Sequence, residues 1–156
     1  MTVTLPPFQA LLDAHRAEVL RFLVALVGRQ DAEDCFQETF LAALRAYPEL
    51  RDAKNLRAWL LTIAHRKAMD NHRSRVRRPE PVEVVPERVI APAPEPEPAL
   101  WEAVRALPPR QRTAVVARYV GDLSYREVAR IAGGTEEAAR RNAADGLATL
   151  REAWER

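Results

Sequence analysis

Three polar side chains, Asp34, Gln37 and Glu38, recur with Leu41 on one face of a helical stretch, while Phe36, Phe40, Leu44 and Tyr47 share another at steps of four, four and three. A carboxylate, amide, carboxylate stripe suits one of two jobs. It can do general acid–base chemistry if a histidine joins it, or it can form a specific polar interface. The histidines, His15, His65 and His72, form no Glu-x-x-His pair and have neither the i, i+4 pairing nor the cysteine neighbours of a zinc site. No glycine-rich phosphate loop is present. The expectation is therefore no metal, no cofactor and no enzyme, which leaves the interface reading. A second set is cationic: Arg66, Lys67, Arg73, Arg75, Arg77 and Arg78 crowd the end of one helical stretch, where they face either a polyanion or plain solvent.

The elements that must position these groups are helices. From Phe8 the residues Leu11, Leu12, Val19, Phe22, Leu23 and Leu26 keep a helical period as far as Gly28, with a break expected near His15. Asp31 is placed to cap a second helix over 32–47, which Pro48 ends. A polar turn over 49–55 leads to a helix over 56–76 with Trp59, Leu60, Ile63 and Ala64 inward, so the first half reads as four helices. In the second half, a short helix over 100–106 precedes one opened by Pro108-Pro109 and stopped at Gly121. Ser124 with Glu127 forms a capping box for a third. Gly133-Gly134 then makes a turn, and Thr135 caps a last helix that turns Ala139, Ala143, Gly146, Leu147, Leu150 and Trp154 inward. Short helix, glycine turn and longer helix is the helix-turn-helix pattern, whose second helix enters the major groove. Its outward face holds Glu137, Arg141, Ala144, Asp145 and Ala148, flanked by Arg140 and Asn142, and is sparsely basic.

Between the halves, residues 79–98 hold seven prolines and five glutamates against one arginine, with no glycine and no aromatic. Repeated X-Pro excludes a helix and favours a stiff, extended spacer of about 3 Å per residue. The expected fold class is all-α: two small helical domains, over 1–78 and 100–156, joined by an acidic Pro-rich linker over 79–99. Two cationic halves on an anionic tether suggest a clamp. The single cysteine, Cys35, has no disulfide partner and sits beside the aromatic stripe, so a buried thiol is expected. Trp59, Trp101 and Trp154 read as packing anchors. The longest apolar run, 22–27, is far too short to cross a bilayer, and the opening residues carry no basic leader, so a cytoplasmic protein with no membrane segment is expected.

The run Asp31-Ala-Glu-Asp-Cys-Phe-Gln-Glu-Thr-Phe-Leu-Ala-Ala-Leu, followed by Arg57-Ala-Trp-Leu-Leu-Thr-Ile-Ala-His-Arg and Asp70, resembles the promoter-melting domain of extracytoplasmic-function sigma factors of bacterial RNA polymerase. Leu107-Pro-Pro-Arg-Gln-Arg, Gly121-Asp-Leu-Ser-Tyr-Arg-Glu-Val-Ala and Gly134-Thr-Glu resemble the minus-thirty-five-binding domain of the same family. The resemblance implies a sigma factor that directs promoter recognition, DNA melting and transcription initiation, with core RNA polymerase and promoter DNA as partners and an anti-sigma factor as a further partner class. It implies that Asp34, Gln37 and Glu38 dock on the polymerase clamp helices. It further implies that Asn55, Arg57, Arg66, Lys67 and Arg73 hold the melted minus-ten strand, and that Thr135, Glu137, Arg140, Arg141 and Ala144 read the minus-thirty-five element. The family often has Asn at the position of Arg66 and arginines at those of Asn142 and Asp145. A stand-alone helix-turn-helix regulator is the alternative, but it leaves the Asp34/Gln37/Glu38 stripe without a purpose.

Overall fold

The computed structural model describes residues 5–51, 54–77 and 97–155, with the side chains of 73–77 left aside. The acidic spacer and the basic side chains that close the first half lie outside the described residues. Helix α1 (Phe8–Val27) runs unbroken through His15. Its apolar stripe, Leu11, Val19, Phe22, Leu23 and Leu26, is buried, and nothing at His15 interrupts the backbone ladder. The first half therefore has three long helices rather than four.

Gly28, at φ +83°, closes α1 and at once opens α2 (Arg29–Ala46). That conformation is open to glycine and costly for a β-carbon, and it leaves Asp31 inside the first turn rather than capping it. No side chain caps α2; Asp31 sits where a carboxylate favours the positive end of the helix. Pro48 ends the run in a single 3-10 turn, Tyr47–Glu49. The Tyr47 hydroxyl donates to the Pro6 carbonyl, and its ring packs edge-on against Phe8 at 5.3 Å, which fastens the chain ahead of α1 to the end of α2.

Asn55, at φ +58°, begins α3 (Leu56–Arg77), its side-chain oxygen accepting from the Ala58 amide at 3.2 Å. Leu60, Leu61, Ala64 and Ala68 are buried against α1 and α2. The second half contains α4 (Pro98–Ala106) and α5 (Pro109–Val115), the latter continued by one π-helical turn, Val116–Val120, then α6 (Tyr125–Ala132) and α7 (Glu136–Glu155). The capping box forms as expected, with Ser124 Oγ accepting from the Glu127 amide at 3.2 Å. Thr135 Oγ1 accepts from the Ala138 amide at 3.0 Å at the start of α7.

Two inward assignments fail. Leu44 is 50% exposed and Trp154 is 60% exposed. Leu44 lies off the buried side of α2, between the buried Ala43 and Tyr47, whereas Trp154 lies one turn beyond the last residue of α7 that packs on the core, Leu150. Periodicity continues to the end of a helix, whereas the surface it packs on does not. Trp59 and Trp101 do pack against the core.

The two halves form two helical units of an all-α fold, with no strand among the described residues, and the units do not stand apart as a clamp. Helix α1 packs on α4 and on the π-helical turn, and α3 touches α6, so the buried residues of both units merge into one continuous cluster.

Candidate functional site

Two of the three groups of candidate residues each keep to one face of this fold, and the third is divided. On α2, the inward positions Ala32, Cys35, Thr39 and Ala43 are buried, which leaves Asp34, Gln37 and Glu38 exposed on the opposite side. Leu41, 52% exposed, extends their stripe, and Leu44 lies one turn along. The result is a polar band that ends in two exposed leucines, a composition suited to a protein partner. Cys35 beneath it is buried, and desolvation, reinforced by Glu38, Asp31 and Asp34, pushes its thiol up to about 11.

The residues assigned to melted DNA divide. Arg66 is exposed and Lys67 half-buried on α3. Arg57 lies on roughly the opposite side of the helix from Arg66, since the two are about two and a half turns apart. Arg57 and Asn55 both turn toward the second unit. Arg57 Nη1 donates to the Gly121 carbonyl, its Nη2 donates to the Asp122 carbonyl at 2.9 Å, and its Nε lies 3.9 Å from Glu18 Oε2. Asn55 Nδ2 donates to Glu127 Oε2 at 2.8 Å. Burial works against the Glu127 carboxylate, but hydrogen bonds from Asn55 and Ser124, with Arg57 nearby, outweigh it and hold its pKa below the usual carboxylate range. The side chain of Arg73 lies outside the described residues.

Nearby, His65 Nε2 and Thr113 Oγ1 are 3.1 Å apart across the two units. Burial first, and Arg66 second, lower the pKa of His65 to about 4, so the ring is neutral near pH 7. Glu18, Asp122, Glu127 and Thr113 carried no signal as joint residues in the sequence. Glu127 was legible only as half of a capping box, and the others meet their partners through tertiary packing.

Thr135, just ahead of α7, and Glu137, Arg140, Arg141 and Ala144 on it are all exposed. Arg140 is drawn aside: it pairs with Glu136 at 2.8 Å and its guanidinium lies 5.3 Å from the Tyr125 ring centre, on which Arg118 also stacks at 4.7 Å. Arg141 remains on the outward face, and Asn142 is half-buried. Gly146 sits where α7 crosses α5, and a β-carbon there would lie 2.6 Å from Val115 Cγ2.

Comparison with known proteins assigns both halves of the chain to one family. The family described as Sigma-70 region 2 matches residues 11–78, and the one described as Sigma-70, region 4 matches residues 98–150. The chain is 34% identical over 142 residues to the ECF RNA polymerase sigma factor BldN of Streptomyces coelicolor, an alignment covering 84% of this chain and 54% of that protein. It is also 34% identical over 145 residues to the ECF RNA polymerase sigma factor SigD of Mycobacterium tuberculosis, covering 83% of this chain and 68% of that one. The chain thus spans about half the length of the first relative and two thirds of the second. Among solved structures, the sigma factor RpoE in complex with the anti-sigma factor NepR from Bartonella quintana has the same fold, with a TM-score of 0.80 at 22% identity over 95% of this chain and 96% of that one. With both regions matched in order on one chain, and with relatives at this identity over most of its length, the chain belongs to the extracytoplasmic-function RNA polymerase sigma factors of the sigma-70 family.

Proposed function

We propose that the chain acts in transcription initiation as a promoter-specificity subunit of RNA polymerase, with a division of labour among its three groups of candidate residues. The band of Asp34, Gln37 and Glu38 docks on core enzyme. Asn55, Arg57, Arg66, Lys67 and Arg73 hold the melted minus-ten strand. Thr135, at the entry to α7, and Glu137, Arg140, Arg141 and Ala144 on it face the minus-thirty-five element. The units doing this correspond to residues 1–78 and 100–156, with 79–99 as the connection, and they contribute binding rather than catalysis. The work takes place in the cytoplasm, where polymerase and chromosome meet. The complex of RpoE with an anti-sigma factor supports a partner of that class here as well.

The observation that carries this reading is the exposed carboxylate and amide band on α2 within a chain matched by both sigma regions. Gln37→Ala with Glu38→Ala should weaken binding to core polymerase at least about tenfold, as expected for losing two interface hydrogen bonds, one of them to a charged group. Helicity by circular dichroism should stay unchanged, because both side chains are exposed. A pull-down of core enzyme with unaltered affinity would remove the assignment. Run-off transcription with core enzyme tests the activity as a whole.

A further inference from the structure

Arg112, on α5, is a cation short of partners. It is half-buried, and burial lowers its pKa from the ordinary guanidinium value. Its Nη2 donates to the Leu107 carbonyl at 3.1 Å, but its Nε is buried and has no hydrogen-bond partner among the described residues. No carboxylate lies within ion-pair distance of it among those residues, whereas Arg57 and Arg140 each meet one. A buried donor left without an acceptor costs free energy, and a desolvated charge without a counter-ion costs more. The chemistry that relieves both costs is an anionic oxygen.

Arg112 also forms part of the wall of a cleft of about 150 Å³ where α1, α2, α3 and α5 meet. That volume is room for about five waters, at roughly 30 Å³ each, or for a small organic molecule. Leu26 and Val27 from α1, with Ala68 and Met69 from α3, give it an apolar lining. Asp31, Asn71 and His72 complete the boundary, and the Asn71 amide donates to Asp31 Oδ2 at 3.4 Å. Asp31 limits the charge that the cleft can take. A polyanion would meet this carboxylate as well as Arg112, whereas a single carboxylate can turn to the cation and lay its tail on the apolar lining.

We propose that this cleft is a binding site for a small monocarboxylate with a short apolar tail, its carboxylate paired with Arg112 and its tail against Leu26, Val27, Ala68 and Met69. The site shares no residue with the α2 band, with the groups assigned to melted DNA or with the face of α7, so it stands independently of those assignments. The carboxylate supplies the acceptor that Nε lacks, in the side-on, charge-assisted pairing that a guanidinium makes through Nε and a terminal nitrogen. The tail adds affinity by leaving water, since each buried methylene favours association. Neither half suffices alone: acetate lacks the tail, and an alcohol lacks the charge. A ligand held by the folded chain and not by the unfolded one stabilises the fold by mass action.

Isocaproate is the probe, added to the full chain near pH 7, where a carboxylic acid is ionised. The sequence holds two methionines, Met1 and Met69, so carbon-13 methyl labelling gives one reporter in the cleft and one other signal for comparison. The Met69 signal should move saturably, with half-saturation at about 1 mM or below, and the thermal midpoint should rise with probe concentration. Acetate, inorganic phosphate and the matching alcohol should each need at least about ten times more. Arg112→Gln should weaken isocaproate at least about tenfold, and Arg112→Lys should restore part of the loss, as expected when the charge is what is missing.

A Met69 signal that stays in place at about 50 mM isocaproate would overturn the site. So would an equal response to phosphate or acetate, which marks a non-selective cation, or to the alcohol, which marks an apolar crevice only. An undiminished response in Arg112→Gln would overturn it as well, and should that variant fail to fold, the three control compounds on the natural chain still decide. No polymerase or DNA enters the measurement, so a negative result leaves the functional reading above untouched.

Discussion

At the scale of single residues, His65 shows how position converts an ordinary side chain into a pH-dependent one. Its ring is neutral near pH 7 because burial, and then Arg66 beside it, lower its pKa to about 4, against about 6.5 in an unfolded chain. Between those values the unfolded chain takes up a proton that the folded chain refuses. The stabilisation is therefore complete above about pH 6.5 and declines as pH falls toward 4, by up to about 3 kcal/mol. Urea titrations from pH 7 to 4 should show a shallower fall for His65→Gln than for the natural chain, and identical slopes would exclude His65 as the source. Cys35 illustrates the opposite outcome: its position beside the aromatic stripe announced a buried thiol, and the fold delivers one.

At the scale of elements, α7 explains a residue that its sequence makes look misplaced. Glycine inside a helix costs about 1 kcal/mol relative to alanine, yet Gly146 lies in the middle of α7. The crossing with α5 accounts for it, since an added β-carbon would meet Val115 Cγ2 at 2.6 Å and the Gln111 backbone oxygen at 3.5 Å. Val115 is buried and β-branched, so it cannot swing away. Gly146→Ala should therefore destabilise the chain by a net of about 1 kcal/mol, overpacking of roughly 2 kcal/mol outweighing the gain in helix propensity. Thermal unfolding followed by circular dichroism checks this, and a stabilised variant would show that the two helices can separate freely. The start of α6 needed no such tertiary explanation: Ser124 and Glu127 form the capping box that their spacing specified, because both ends of that motif lie within one turn of chain.

At the scale of the whole molecule, the units share one buried cluster in which Val104 of α4 lies with the stripe of α1. Small helical units bury too little to be comfortable alone. Residues 97–156 expressed by themselves should melt about 5–10 °C below the same helices in the full chain, corresponding to roughly 1 kcal/mol lost at this size. An unchanged midpoint, read by circular dichroism, would mean that the joint adds nothing to the stability of the second unit.

Local chemistry made much of this protein legible from its sequence. The helices follow from an apolar period near 3.6, the helix-turn-helix from a capping box and a glycine turn, and the exposed α2 band from the aromatic stripe that must face away from it. All these signals lie within one helix or one turn, and that is why the helices could be placed with small errors at their ends, the break expected near His15 in α1 being the exception. Which members of a stripe find a surface was not local, so Leu44 and Trp154 were set inward and proved exposed. The engagement of Arg57 by Gly121 and Asp122, and of Asn55 by Glu127, was likewise beyond reach: backbone carbonyls carry no residue identity, and a pairing across more than sixty positions leaves no periodic mark. Sequence thus determined which polar faces the helices present, and tertiary packing alone decided that Asn55 and Arg57 are held by the chain itself, because hydrogen-bond partners are set by proximity in space.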